Sequence, residues 1–373
     1  MDFDLTEEQQ LLQGSVSRLL AETYSFDQRK TMRTLVEGFD PLSWQRFADL
    51  GLLALPFSET DGGLGGGAVD VMLLMESFGR HLVLEPYLAT VVLAGGCLRH
   101  AASREQKERW LPSLIGGDER WALAHFERDA RYDLASVRCQ ARRVGDDWQL
   151  DGEKILVIHG DSAHRLVVSA RTENGQVGLF VVGAQTPGLL RRGYATQDGL
   201  RAANISLSGV KISGRDCLEL KDGIDTISIV VDEALAAICA EAVGTMERAL
   251  DITVDYLKQR KQFGVAISSF QALQHRAVDM LVMLEQARSM AYYATMMLSE
   301  PDPARRSAAV SAAKVQVGKS ARQVGEQAVQ LHGGIGVTEE CSIGHYYRRL
   351  TLIELLFGDS HHHLKQLAQA ANL

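Results

Sequence analysis

The sequence predicts a mainly α-helical protein with a central β domain, and three observations carry that prediction. Up to about residue 115 the apolar residues recur at helical spacing in short segments. From about Trp121 to Lys221 the texture changes to short runs rich in Val, Ile and Leu, such as Lys154-Ile155-Leu156-Val157-Ile158 and Gly178-Leu179-Phe180-Val181-Val182. From about Asp225 helical spacing returns and holds to the end. The divisions fall at 1–118, 119–222 and 223–373: a helical domain, a small antiparallel β domain and a four-helix set.

Thr6-Glu7-Glu8-Gln9 has capping-box spacing and opens a helix to about Glu22, with Leu11, Leu12, Val16, Leu19 and Leu20 as its apolar face. A second helix runs from about Pro41 to Leu50 and stops at Gly51. The glycine run 62–67 lacks the Lys-Ser/Thr of a phosphate-binding P-loop and reads as a flexible connection. Helices follow at about 68–80, 86–100 and 104–115. In the β domain Asp151-Gly152 and Asn174-Gly175 read as turns between strands. Beyond it, helix breaks fall near 260–267, 300–303 and 332–338.

The 373 residues are 46% hydrophobic and 23% charged, ordinary for a globular chain with a large core. A net charge of -8 gives no electrostatic reason to bind nucleic acid or an anionic membrane. Cys97, Cys139, Cys217, Cys239 and Cys341 are scattered without metal-ligand spacing, which predicts no metal site and a reducing compartment. The acidic start Met1-Asp2-Phe3-Asp4 and the lack of a long apolar run predict a cytoplasmic protein outside the membrane.

The stretch 260–280 organises the rest. Arg260-Lys261-Gln262-Phe263-Gly264 reads as a loop between two helices, where a cation, an amide and an aromatic ring could meet a dinucleotide. After it, Phe270, Leu273, Ala277, Met280, Leu281 and Leu284 mark the inward face of a long helix. Gln271 stands three residues after Ser268, so it either meets a ligand or closes a capping box.

Five motifs, in order around the β domain, resemble the acyl-CoA dehydrogenase family across essentially the whole chain. They are Leu5-Thr6-Glu7-Glu8-Gln9, Leu50-Gly51-Leu52-Leu53 with Gly62-Gly63-Leu64-Gly65, Arg260-x-x-Phe263-Gly264 with Phe270-Gln271, Gln330-Leu331-His332-Gly333-Gly334-Ile335-Gly336, and Tyr347-Arg348. The resemblance implies a helical N-terminal domain, a β-barrel-like middle domain and a C-terminal four-helix bundle. It also implies FAD, acyl-CoA as substrate, α,β-dehydrogenation, electron-transfer flavoprotein as acceptor, and a homodimer or tetramer. By the same resemblance Arg260, Gln262, Phe263, Gln271, Gln330, Gly333 and Gly334 bind the adenosine and diphosphate side of FAD across a subunit interface. From the residues alone, Gly333 also reads as the cap of a helix starting near Arg306.

The departures are as informative. Where the family usually carries its catalytic glutamate, this chain has Phe357, and the alternative base position is Ala234, followed by Leu235. The family's Trp-Ile-Thr against the flavin is Leu156-Val157-Ile158 here. Asp359 is the replacement candidate for the base; it also reads as the N-cap of a helix over 360–370. Glu233 and the run His361-His362-His363 are weaker candidates. The Phe-Gly-Asp-x-x-His ending resembles the smaller subunit of two-subunit enzymes of the pimeloyl-CoA or steroid side-chain type. That implies a heterotetramer with a homologous larger chain and a role in fatty acid or steroid side-chain catabolism. Two alternatives stay open: a partner that donates flavin contacts without catalysis, and a flavin oxidase or monooxygenase on the same scaffold.

Overall fold

The structure is a computed structural model that describes residues 5–218 and 223–371. The acidic start 1–4 and the expected domain boundary at 222 lie outside the described residues. In chain order the helices are α1 (Glu7–Thr23), α2 (Phe26–Met32), α3 (Pro41–Asp49), α4 (Ala68–His81), α5 (Gly95–Ala101, entered through a π-helical stretch Leu88–Ala94) and α6 (Arg104–Ile115). The strands β1 (Trp121–Ala124), β2 (Gln140–Val144), β3 (Asp147–Ile158), β4 (Arg165–Thr172), β5 (Val177–Gly183), β6 (Leu189–Ala195) and β7 (Arg201–Ile212) follow. The chain then forms α7 (Gly223–Gln259), the two-residue strands β8 (Lys261–Gln262) and β9 (Val265–Ala266), α8 (Gln271–Met297), α9 (Pro303–His332), α10 (Ser342–Leu355) and α11 (Ser360–Ala370). Two compact units result: a helical one of Met1–Thr31, Ala68–Val83 and Leu235–Leu373, and a mixed one of Met32–Gly67 and Leu84–Ala234.

In the helical unit the predicted capping box forms, with the Thr6 hydroxyl accepting from the Gln9 N–H and the Gln9 amide oxygen accepting from the Thr6 N–H. Close helix packing is set by two glycines. A Cβ on Gly79 of α4 would lie 1.9 Å from the Glu241 carbonyl oxygen, and one on Gly244 of α7 would lie 1.8 Å from that of Glu76. The backbones touch there because neither residue carries a side chain. Buried across the unit are Arg349 and Glu241, joined by two hydrogen bonds of 2.6 Å. Among the described residues the expected four-helix set is α7, α8, α9 and a last helix divided into α10 and α11. Two of the residues expected on the inward face of α8 are instead at the surface: Phe270 is 38% and Leu281 46% exposed, while Met280 and Leu284 are buried. Ala287, Ala291 and Ala294 continue the buried stripe, so the packed face is rotated from the predicted one.

The mixed unit holds a seven-stranded sheet ordered β1-β4-β2-β3-β7-β6, with β5 on the other side of β4. The sheet is mixed rather than antiparallel, because β4 runs parallel to both β1 and β2. Long returns between 124 and 140 and between 144 and 165 permit this, whereas hairpin turns force the antiparallel sense. Asn174-Gly175 is the expected β4–β5 turn. Asp151-Gly152 is not a turn: it is a bulge inside β3, where the register with β7 shifts and a Gly152 Cβ would lie 2.9 Å from the Cys139 sulfur. Nor is the glycine run 62–67 a loose connection. Gly63, Leu64, Gly65 and Gly66 donate backbone hydrogen bonds to Ser58, Ala54, Phe57 and Leu55, folding the run back on itself. Beneath the sheet the fully buried Lys154 ammonium donates to Glu127 at 2.7 Å, Ser169 at 3.0 Å and the His125 carbonyl at 3.1 Å. A buried charge is tolerable only when paired in this way.

Candidate functional site

The helical unit gathers the predicted cofactor residues on two neighbouring chain reversals. Arg260 follows the last turn of α7 and opens the β8–β9 hairpin, whose turn is Phe263-Gly264. Both turn residues have positive φ, +53° and +82°, as a tight two-residue hairpin requires. Phe263 takes that conformation against its preference, and its ring is 91% exposed and meets the Phe270 ring edge-on. The Ser268–Gln271 capping box does not form: α8 starts after Phe270 without a side-chain cap. Gln271 is exposed, and among the described residues no hydrogen bond engages the side chains of Arg260, Gln262, Gln271 or Gln330.

The second reversal follows α9. Its helix starts at Pro303, one N-cap after Asp302, earlier than the expected Arg306. It ends at His332, and Gly333 caps it with φ +65°. Gly333 and Gly334 are exposed, and a Cβ on either, or on Gly264, would meet nothing within 4 Å. These open glycines and an unengaged guanidinium fit the diphosphate and sugar of a dinucleotide, which needs backbone access and a positive charge.

Position 357 is built differently. Phe357 has φ +58° and Gly358 φ +128°, so the break between α10 and α11 is a strained turn. One face of α9 holds it. Lys314, 1% exposed, donates from Nζ to the carbonyls of Glu354 at 2.7 Å and Gly358 at 2.6 Å. Burial pushes this amine down to about 8. Three residues earlier, Ser311 binds His363 Nδ1 at 3.0 Å, and the Glu354 carboxylate accepts from the Ser360 N–H.

Of the candidates for the base, Asp359, Glu233 and His363 are otherwise engaged, while His361 is exposed. Asp359 is the N-cap of α11, its carboxylate accepting from the His362 N–H at 2.8 Å. His363 is 2% exposed, and burial pushes its imidazole down to about 3, too weak a base to take a carbon-bound proton. Its Nε2 lies under Gly358, where a Cβ would come within 2.6 Å. In the mixed unit Ala234 is fully buried, and Glu233 is held by Arg99 at 2.5 Å and His100 at 2.9 Å. Leu156, at the expected flavin-stacking position, sits at a second irregularity of β3 with φ +50° and is 41% exposed.

Sequence reasoning missed Lys314, Tyr256 and His332. Lys314 reads as a surface lysine until the partner turn 354–358 is known. Tyr256 and His332 carried a signal, Tyr256 standing four residues before Arg260 and His332 within the motif 330–336.

The chain matches the family models for the acyl-CoA dehydrogenase N-terminal domain over residues 6–118 and C-terminal domain over residues 221–372. It is 29% identical over 371 residues to the probable acyl-CoA dehydrogenase YngJ of Bacillus subtilis, covering 96% of this chain and 97% of that protein. It is 27% identical to the caffeyl-CoA reductase-Etf complex subunit CarC of Acetobacterium woodii, covering 84% and 85%. Among solved structures, the ChsE4-ChsE5 complex from Mycobacterium tuberculosis superposes with a TM-score of 0.91 at 26% identity, covering 100% of this chain and 99% of that one. PigA with FAD and proline gives 0.91 at 25% identity, covering 100% of both. With both terminal domains matched and the whole fold shared, the chain belongs to the acyl-CoA dehydrogenase family.

Proposed function

We propose that this chain is one subunit of an FAD-dependent acyl-CoA dehydrogenase, lending the adenosine side of a shared flavin site while another chain supplies the base. The observation that carries the reading is a contrast within one unit. Arg260, Gln262, Phe263, Gln271, Gln330, Gly333 and Gly334 are exposed. The base position, by contrast, holds the Phe357 ring, and Asp359 caps a helix. Arg260 offers the diphosphate a fixed positive charge, the Phe263 ring offers a stacking surface, and the two open glycines let adenosine approach the backbone. When bound, FAD supplies the acceptor for the β-hydride of the acyl-CoA thioester. Phe357 cannot accept the α-proton, so that step falls to a carboxylate on a homologous larger chain.

An exposed apolar face supports assembly: Phe263, Val265, Phe270, Val278, Leu281 and Val282 are all between 38% and 91% exposed. A homodimer or tetramer, or a heterotetramer with the larger chain, would cover it. Electron-transfer flavoprotein is the acceptor in this reading, in keeping with the Etf-linked relative. The substrate is an acyl-CoA of fatty acid or steroid side-chain catabolism, in keeping with the two-component ChsE4-ChsE5 neighbour. We assign the chain to the cytoplasm on its five unpaired cysteines. No helix among the described residues is long and apolar enough to cross a membrane.

The test is an FAD titration of the wild type and Arg260→Ala. Loss of a charge-assisted hydrogen bond, worth about 1.5–3 kcal/mol, should weaken binding by roughly tenfold or more. Equal affinity would remove Arg260 from the site and the reading with it.

A further inference from the structure

The two reversals that carry the proposed flavin contacts are tied together by a pair of rings. Tyr256 lies one turn before Arg260 on α7, and the Arg260 N–H donates to the Tyr256 carbonyl at 2.9 Å. His332 is the last residue of α9, directly before Gly333. The Tyr256 and His332 rings stack at 4.4 Å between centroids with 22° between planes. The Tyr256 hydroxyl also reaches the His332 carbonyl at 3.4 Å, the final peptide oxygen of that helix.

His332 is held from two other directions. Its Nδ1 donates to the Ala328 carbonyl at 2.8 Å, which fixes the ring plane and the tautomer. The turn 333–337 folds back on it, because Gly336 lacks a Cβ that would otherwise lie 3.0 Å from the His332 Cβ. Burial pushes its pKa down from the ordinary histidine value. His332 is 5% exposed, and neither ring stands among the exposed contact residues.

We propose that Tyr256 and His332 are positioning residues that set the spacing between the Arg260 hairpin and the Gly333-Gly334 turn. The inference rests on the flavin reading of those two reversals. A dinucleotide that contacts both needs them at one separation, and the stack ties α7 to α9 at the end where both helices stop. Tyr256→Leu removes the stack and the hydroxyl, while Tyr256→Phe keeps the stack.

The experiment joins amide hydrogen exchange with FAD titration on the full chain, using wild type, Tyr256→Leu, Tyr256→Phe and Arg260→Ala. Expected in Tyr256→Leu are faster exchange in 260–267 and 333–338 together, with the rest of the chain unchanged, and FAD binding weakened about tenfold, or about 1.4 kcal/mol. Tyr256→Phe should recover most of both. Unchanged exchange in either segment overturns the brace while leaving the Arg260 result to judge the flavin reading. Faster exchange with FAD affinity at the wild-type value also overturns it. If Arg260→Ala binds FAD as well as wild type, the flavin reading itself fails and the brace positions nothing for it.

Discussion

Replacing Lys314 by methionine tests how the turn at the base position is held. The ammonium is 1% exposed and bridges the Glu354 and Gly358 carbonyls. Burial takes its pKa from the ordinary 10.5 down to about 8, partly offset by the nearby Cys239, Glu354 and Asp359. A tenfold change in proton affinity is about 1.4 kcal/mol, so the gap is worth about 3 kcal/mol. Below pH 8 the folded and unfolded chains both hold the proton and stability has no slope from this group. Between about 8 and 10.5 the unfolded chain keeps a proton that the folded chain has released, so this group's contribution to wild-type stability rises by up to about 3 kcal/mol. The Cys239 thiol, pushed up to about 12 from an ordinary 9.0, loses its proton first in the unfolded chain and lowers the stability of both proteins in this window. Methionine has no proton to release. Urea unfolding of both proteins at intervals from pH 7 to 10.5 should therefore show the wild type gaining on Lys314→Met across the window. Parallel stability curves would refute a buried, charged clamp.

Two further substitutions probe the same unit. Gly358→Ala places a Cβ 2.6 Å from the His363 ring at φ +128°, and should cost about 1–3 kcal/mol in thermal or urea unfolding. Arg349→Met leaves the buried Glu241 carboxylate without its bidentate partner and should destabilise the chain by about 3–5 kcal/mol; a loss under 1 kcal/mol would mean the pair is not desolvated.

Element types were legible where side-chain chemistry acts locally. The Thr6–Gln9 capping box, Gly51 after α3, Gly333 after α9 and Asp359 before α11 were all readable, because a cap is decided by neighbours within four residues. What failed depended on distant partners. Asp151-Gly152 has the composition of a turn, but a long β7 pairs with both halves of β3 and turns the dipeptide into a bulge. The parallel pairings of β4 depend on which strands meet, which local pattern does not encode. The outer face of α8 is as apolar as its inner one, so periodicity misplaced Phe270 and Leu281. At the site, the motif around Arg260 and the glycines after His332 were visible as residues. The engagement of Glu233 and His363 was not, since Arg99, His100 and Ser311 lie far away in sequence.

In the proposed reading this chain carries flavin contacts but no base of its own. The most direct measurement is the visible spectrum of the purified chain loaded with FAD, recorded without oxygen before and after a panel of acyl-CoAs. Flavin bands that stay oxidised with every acyl-CoA in the absence of another chain are expected. Bleaching of those bands by any of them would contradict that reading.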